Sequence, residues 1–262
     1  MTDKEKFFAQ FKFDQSKVGF VGVEREQFTI NPKTATIIPA SCKYLDSIAT
    51  RDGEIDKTRF RFGYELSACQ LESKIGPCPM KDLGCWLREC DDVLSCLDRE
   101  LGLGRINAEL AIEDMPLDIY PDPTGRYQRI TQNMPREVLS AACRVAATHV
   151  HIGMPDLATA VEVYNNSIGH TDALIALGDH SAGKRMELYR VMAARHYPES
   201  ILSVDEYYQR ALSEGFIKDP RTCWALIRIS IHGTVEFRMF GATDSIDQIV
   251  EWASYCHRLC TR

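Results

Sequence analysis

Glutamates and histidines stand at alternate positions inside segments that otherwise read as β-strands. Gly22-Val23-Glu24-Arg25-Glu26, His149-Val150-His151 and Thr234-Val235-Glu236-Phe237-Arg238 each set two polar side chains two residues apart among apolar neighbours. A strand repeats its facing every second residue, so Glu24 and Glu26 share one face, as do His149 with His151 and Glu236 with Arg238. One such pair is what the watered side of an antiparallel sheet carries. Several of them beside strongly apolar sequence predict a sheet whose polar face lines a cavity. Glu65 and Glu72 stand seven apart and would face opposite ways on one unbroken strand, so a bulge or bend is expected if both point inward.

The rest of the chain supplies the frame. Residues 18–30 read as a strand, Asn-Pro-Lys-Thr as a turn and ATIIP as a returning strand, a hairpin signal. Arg51–Thr58 reads as a charged loop, and residues 59–75 as one or two further strands closed by Gly76-Pro77-Cys78-Pro79. Leu83, Trp86, Leu87, Cys90, Leu94, Leu97 and Leu101 fall at helical steps, and the helix is expected to stop near Gly102 and Gly104. The proline-containing stretch 113–135 is read as loop. Helices are predicted over 135–147, 157–178 and 204–213 and from Ser245, and strands over 148–154, 223–231 and 234–240. Strands with hairpin pairing, separated by helices, predict an α+β fold: a largely antiparallel sheet forming a cavity, with helices packed on its outer face. The expected organisation is a polar leader over 1–17 and a single catalytic domain over 18–262.

Composition removes several function classes. A chain of 262 residues with 45% hydrophobic side chains buries a sizeable core. Its net charge of -6 argues against a general binder of nucleic acid or anionic membrane, whose affinity comes from clustered Lys and Arg. Residues 1–13 mix charge with Phe and lack the apolar run of a signal peptide, so a cytoplasmic protein is expected. The 10 cysteines show neither zinc-ligand spacing nor the secretory context of a disulfide scaffold, and are read as small reduced hydrophobes.

Carboxylate oxygens with one imidazole suit Mg²⁺ or Mn²⁺, and such ions would neutralise several carboxylates sharing a cavity. Metals beside basic residues point to a phosphorylated ligand. A GxxxxGK[ST] loop and a GxGxxG fingerprint are both absent, so neither a P-loop nor a Rossmann domain holds a nucleotide here.

Taken in order, GVEREQF (22–28), YELSACQLESKIGP (64–77), GRYQRI (125–130), THVHIGMPD (148–156), VEVYNNSIGHTDALIALGDHSAG (161–183) and GTVEFRMFGATD (233–244) resemble the glutamate–cysteine ligase family, second type. That family groups with bacterial carboxylate–amine ligases in the glutamine synthetase superfamily, and the last motif also resembles amidoligases. The resemblance implies an ATP-dependent ligase that forms an amide, γ-glutamyl in this family, through an acyl phosphate. It implies metal ligands Glu24, Glu26, Glu65, Glu72, His149 and Glu236. Nucleotide or phosphate contacts are implied for Arg238, His151 and an arginine after the long helix, for which Arg185, Arg190 and Arg195 compete and Arg190 is preferred. Glu236, Arg238 and Arg190 are the implied catalytic groups, ATP and Mg²⁺ (or Mn²⁺) the cofactors, and a small carboxylate with an amine acceptor the substrates. Family members continue well beyond this strand, whereas 24 residues follow Arg238, so the amine pocket is expected to be reduced, open, or completed by a second subunit of a homodimer. An amidoligase acting on a peptide, polymer or other amine, and a non-catalytic nucleotide- or metal-binding relative, remain the alternatives.

Overall fold

In a computed structural model, residues 1–51, 53 and 55–261 are described. Along the chain these are α1 (Asp3–Phe8), β1 (Val21–Asn31), β2 (Thr36–Ile37), α2 (Ser41–Ala49), β3 (Phe60–Tyr64), β4 (Gln70–Cys78), α3 (Leu83–Leu101) and β5 (Gly104–Ile106). There follow α4 (Arg126–Thr131), α5 (Arg136–Arg144), β6 (Ala147–Gly153), α6 (Leu157–Ile168), α7 (Thr171–Gly178), α8 (Lys184–Met192), α9 (Val204–Glu214), β7 (Ile227–Ser230), β8 (Thr234–Gly241) and α10 (Ile246–Cys260).

The strands form one antiparallel sheet in the order β3-β4-β1-β6-β8-β7, with β2 and β5 also pairing with β1. Alternation sorts each strand into two faces. Val21 and Val23, Leu71 and Ile75, Val150 and Ile152, Ile227 and Ile229, and Val235 and Phe237 enter the main core. On that side α3 packs on β4, α10 on β6 and α6 on β7. The α+β reading with an antiparallel sheet and helices around it is what the structure has.

Helix α3 shows why the apolar stripe is decisive. Leu83, Leu87, Cys90, Leu94 and Leu97 are all buried, at steps of four and three. The helix ends where Gly102 adopts φ 63°, a left-handed conformation that costs a residue with a Cβ more than glycine. Arg25 and Gln27 interrupt the apolar alternation on this face of β1; Gln27 is matched, and Arg25 is paired through its terminal nitrogens while its Nε is buried without a hydrogen-bond partner. Arg25 Nη1 lies 2.7 Å from Asp91 Oδ1, and Gln27 donates to Asn107 at 2.9 Å and accepts from Arg105 at 2.6 Å.

Several expectations change. Residues 126–131, read as loop, form α4, and the helix read over 157–178 is two helices meeting at Gly169-His170. Residues 41–49, given no structure from sequence, form α2. Within the loop read over 51–58, Asp52 and Glu54 lie outside the described residues. The segment read as a polar leader holds α1, which buries Phe7, and Phe11 follows into the same core. Of the cysteines, 69, 78, 90, 143 and 256 are buried, while 42, 85 and 96 are exposed. No described helix is long and apolar enough to cross a membrane.

Candidate active site

The opposite face of the sheet is polar because each strand turns its even or odd register the same way. Glu24 stands across from Lys74 on β4 and from His149 on β6; Glu26 stands across from Glu72. His151 is opposite Glu236 on β8, which is opposite Arg228 on β7. Apart from Glu236, which is fully buried, these side chains line a cavity of about 390 Å³, joined by Glu65, Arg238, Tyr127, Tyr189, Arg126 and Arg221.

Glu65 and Glu72 meet through a bend, one of the two devices expected, and not through a bulge. Strand β3 ends at Tyr64, the chain reverses, and β4 returns with Gly63 paired to Glu72, so the two carboxylates belong to a hairpin. A turn between them, which periodicity alone did not place, is the physical reason.

Glu236 is fully buried and held by two arginines. Arg228 donates through Nε to Oε2 at 2.7 Å and through Nη2 to Oε1 at 3.0 Å, and Arg238 Nη1 also donates to Oε1. Burial would raise its pKa, but Arg228, His151 and Arg238 together hold it well below the usual range. Glu24 is likewise held low against its burial, by His151, His149 and Lys74. Burial pushes Glu26 and Glu65 up to about 7. Glu72 is driven well above its ordinary value by burial and by the charges of Glu24 and Glu65. Glu24 and Glu236 are thus held toward the ionised form and Glu26 and Glu65 toward the protonated one, while Lys74, 2.7 Å from Glu72 Oε2, opposes the rise at Glu72.

The two histidines differ. Burial, then the Arg238 charge, lowers His149 to about 3; its Nδ1 lies 3.4 Å from Glu24 Oε2 and its Nε2 3.6 Å from Glu26 Oε1. His151 is raised despite burial by Glu236 and Glu24. Its Nδ1 pairs with Thr234 Oγ1 at 2.9 Å, while Nε2 is buried without a hydrogen-bond partner. Donor atoms of Glu24, His151 and Glu236 lie within 4.8 Å of one another, an ion-sized grouping. His151, given by the resemblance as a nucleotide contact, is the imidazole in this grouping, and His149, given as a metal ligand, is outside it. The pairing of β6 with β8 shifts register between Thr148 and Val150, and it is His151 that stands directly across from Glu236.

The arginines after the long helix are placed elsewhere. Arg185 is buried and donates to the carbonyls of Ala146 at 3.2 Å, Met239 at 2.7 Å and Arg238 at 3.2 Å, so its guanidinium braces strands. Arg190 is exposed and is not among the cavity-lining residues, because α8 turns Met186 and Tyr189 inward and Arg190 outward. Arg195 is exposed beside Glu214. Cavity cations that sequence reasoning did not single out are Lys74, Arg126, Arg221 and Arg228. Lys74 follows Glu72 by two residues and Arg228 sits in a strand-like apolar run, so the same period-two signal that marked the glutamates marks both.

No protein-family model matches the chain. Among curated proteins, it is 28% identical over 91% of its length to a Rhodopirellula baltica protein named "Putative glutamate--cysteine ligase 2", covering 67% of that protein. Similar proteins of that name family come from Nocardia farcinica (25% identical, 88% of this chain, 61% of the other) and Gloeobacter violaceus (25%, 91% and 66%). The chain spans about two thirds of the length of these relatives. Its similarity to proteins of that name therefore covers about nine-tenths of its residues.

Proposed function

We propose that this chain is an ATP-dependent carboxylate–amine ligase, with glutamate's γ-carboxyl as the preferred donor. A carboxylate is a poor electrophile with a poor leaving group; ATP supplies a phosphoryl group that turns the oxygen into a leaving phosphate, which an amine then displaces. One observation carries the reading: Glu24, Glu236 and a His151 nitrogen without a hydrogen-bond partner cluster at a cavity that arginines also line, in a chain similar to proteins named "Putative glutamate--cysteine ligase 2".

A divalent ion fits the donor set, since carboxylate oxygens and a buried nitrogen lacking a partner are what Mg²⁺ or Mn²⁺ would complete. Glu24, His151 and Glu236 would hold it, and it would neutralise phosphate charge. Arg228 commits its forked donors to Glu236 and fixes that carboxylate, while Arg238, which lines the cavity and whose Nη2 has no hydrogen-bond partner among the described residues, would meet phosphate oxygens. Tyr189 accepts from Arg238 Nε at 3.4 Å and steadies that guanidinium. Positioning and electrostatics do the work, and no covalent nucleophile is required.

The test is ADP release by the purified chain with Mg²⁺, screened across amino-acid donors and amine acceptors. Amine-dependent ADP release that Glu24→Ala abolishes, by at least ~100-fold, is expected. Background release for every pair, beside measurable ATP binding, overturns the ligase reading in favour of a non-catalytic binder.

A further inference from the structure

Glu24 presents its two carboxylate oxygens to different neighbours. Its Oε2 faces imidazole, 3.4 Å from His149 Nδ1 and 3.5 Å from His151 Nε2. Its Oε1 faces Lys74, whose Nζ is 3.4 Å away and also lies 2.7 Å from Glu72 Oε2. Register produces this arrangement, because Lys74 stands across from Glu24 on the adjacent strand and two residues from Glu72 on the same face. Gly63, across from Glu72 on β3, leaves the room: a Cβ there would come within 2.9 Å of Glu72 Oε2 and 3.5 Å of Lys74 Cε.

A cation bridging carboxylates from two strands is the arrangement that a divalent ion adopts in such a cavity. Among the described residues the ion-sized grouping is Glu24, His151 and Glu236, on the imidazole side of Glu24, and Glu72 is outside it. We infer that Lys74 takes the place of one divalent ion, so that an ammonium built into the chain bridges Glu24 and Glu72 and an exchangeable ion is left only on the imidazole side. The inference rests on reading the cavity as a divalent-ion site. Its consequence is a ligase cavity that needs one fewer metal ion than its carboxylates would otherwise admit.

Mn²⁺ uptake by the ligand-free full-length chain, followed by electron paramagnetic resonance of the free ion, tests this without any turnover. Lys74→Met keeps the apolar arm and removes the charge; it is expected to bind about one more Mn²⁺ per chain than the unaltered protein. Lys74→Arg keeps the charge and is expected to leave the stoichiometry unchanged. Equal stoichiometry in the unaltered protein and in folded Lys74→Met overturns the inference, with Lys74→Gln measured in its place if Lys74→Met lacks native circular dichroism. No Mn²⁺ uptake by the unaltered protein at millimolar ion overturns the divalent-ion reading itself, an outcome distinct from unchanged stoichiometry.

Discussion

Glu26 holds a proton that an unfolded chain would release. It is 9% exposed, and burial pushes its carboxyl up to about 7, against the opposing charge of Arg238 and with the support of Glu72. A carboxyl pKa raised on folding means that stability is full below the unfolded value of about 4.5 and declines as pH rises toward the folded value. Across that window the cost is on the order of 3 kcal/mol. Glutamine does not titrate, so the melting temperature of Glu26→Gln minus that of the unaltered protein is expected to rise between about pH 4.5 and 7 and then level off. A difference that stays flat in metal-free buffer would contradict the assignment. Glutamate and histidine identities at these positions were readable in the sequence, but their charge states were not. Those depend on which cation each carboxylate meets: Glu236 is ionised because Arg228 and Arg238 reach it, and both come from strand pairing.

At the scale of elements, period two and period 3.6 were strong guides. The strands over 21–31, 147–153 and 234–241 and helix α3 lie where alternation or the apolar stripe puts them. Short elements escaped because their stability is not local. α4 is six residues long and begins just after Gly125 within a proline-rich stretch, too short to hold itself in water. Asp122 anchors it instead, accepting from Thr124 N at 2.9 Å, Thr124 Oγ1 at 2.8 Å, Arg126 N at 2.8 Å and Tyr64 Oη at 2.9 Å. These donors hold the carboxyl well below its usual range even though burial opposes them. Asp122→Ala is expected to lower unfolding free energy by ~2–3 kcal/mol, read from urea denaturation, because a charged acceptor is lost and several donors are stranded. It should also raise KM more than it lowers kcat, since α4 carries Arg126 and Tyr127 into the cavity wall.

For the whole molecule, the opening segment and the sheet share one core. Phe7 is 1% exposed and its ring centroid lies 5.3 Å from that of Phe11 and 5.7 Å from that of Tyr207. Phe7→Ala is expected to destabilise the chain by ~3–5 kcal/mol, measured by denaturant unfolding, through lost burial and the cavity left behind. A loss below ~1 kcal/mol would mean that α1 is only loosely docked. Sequence alone determined the α+β class and which strands are polar on one face, because side-chain alternation and helical spacing are local and survive in one dimension. It also marked most of the carboxylates and imidazoles that line the cavity. Tertiary structure decided which of them meet: the sheet order brings residues 24, 74, 151, 228 and 236 onto adjacent strands, and the turn after Tyr64 brings Glu65 to Glu72. It also turned Arg190 out to solvent and committed Arg185 to backbone carbonyls. The physical reason is that a hydrogen-bonded ion pair forms only at contact distance, so a carboxylate's partner is set by strand register across the sheet and not by distance along the chain.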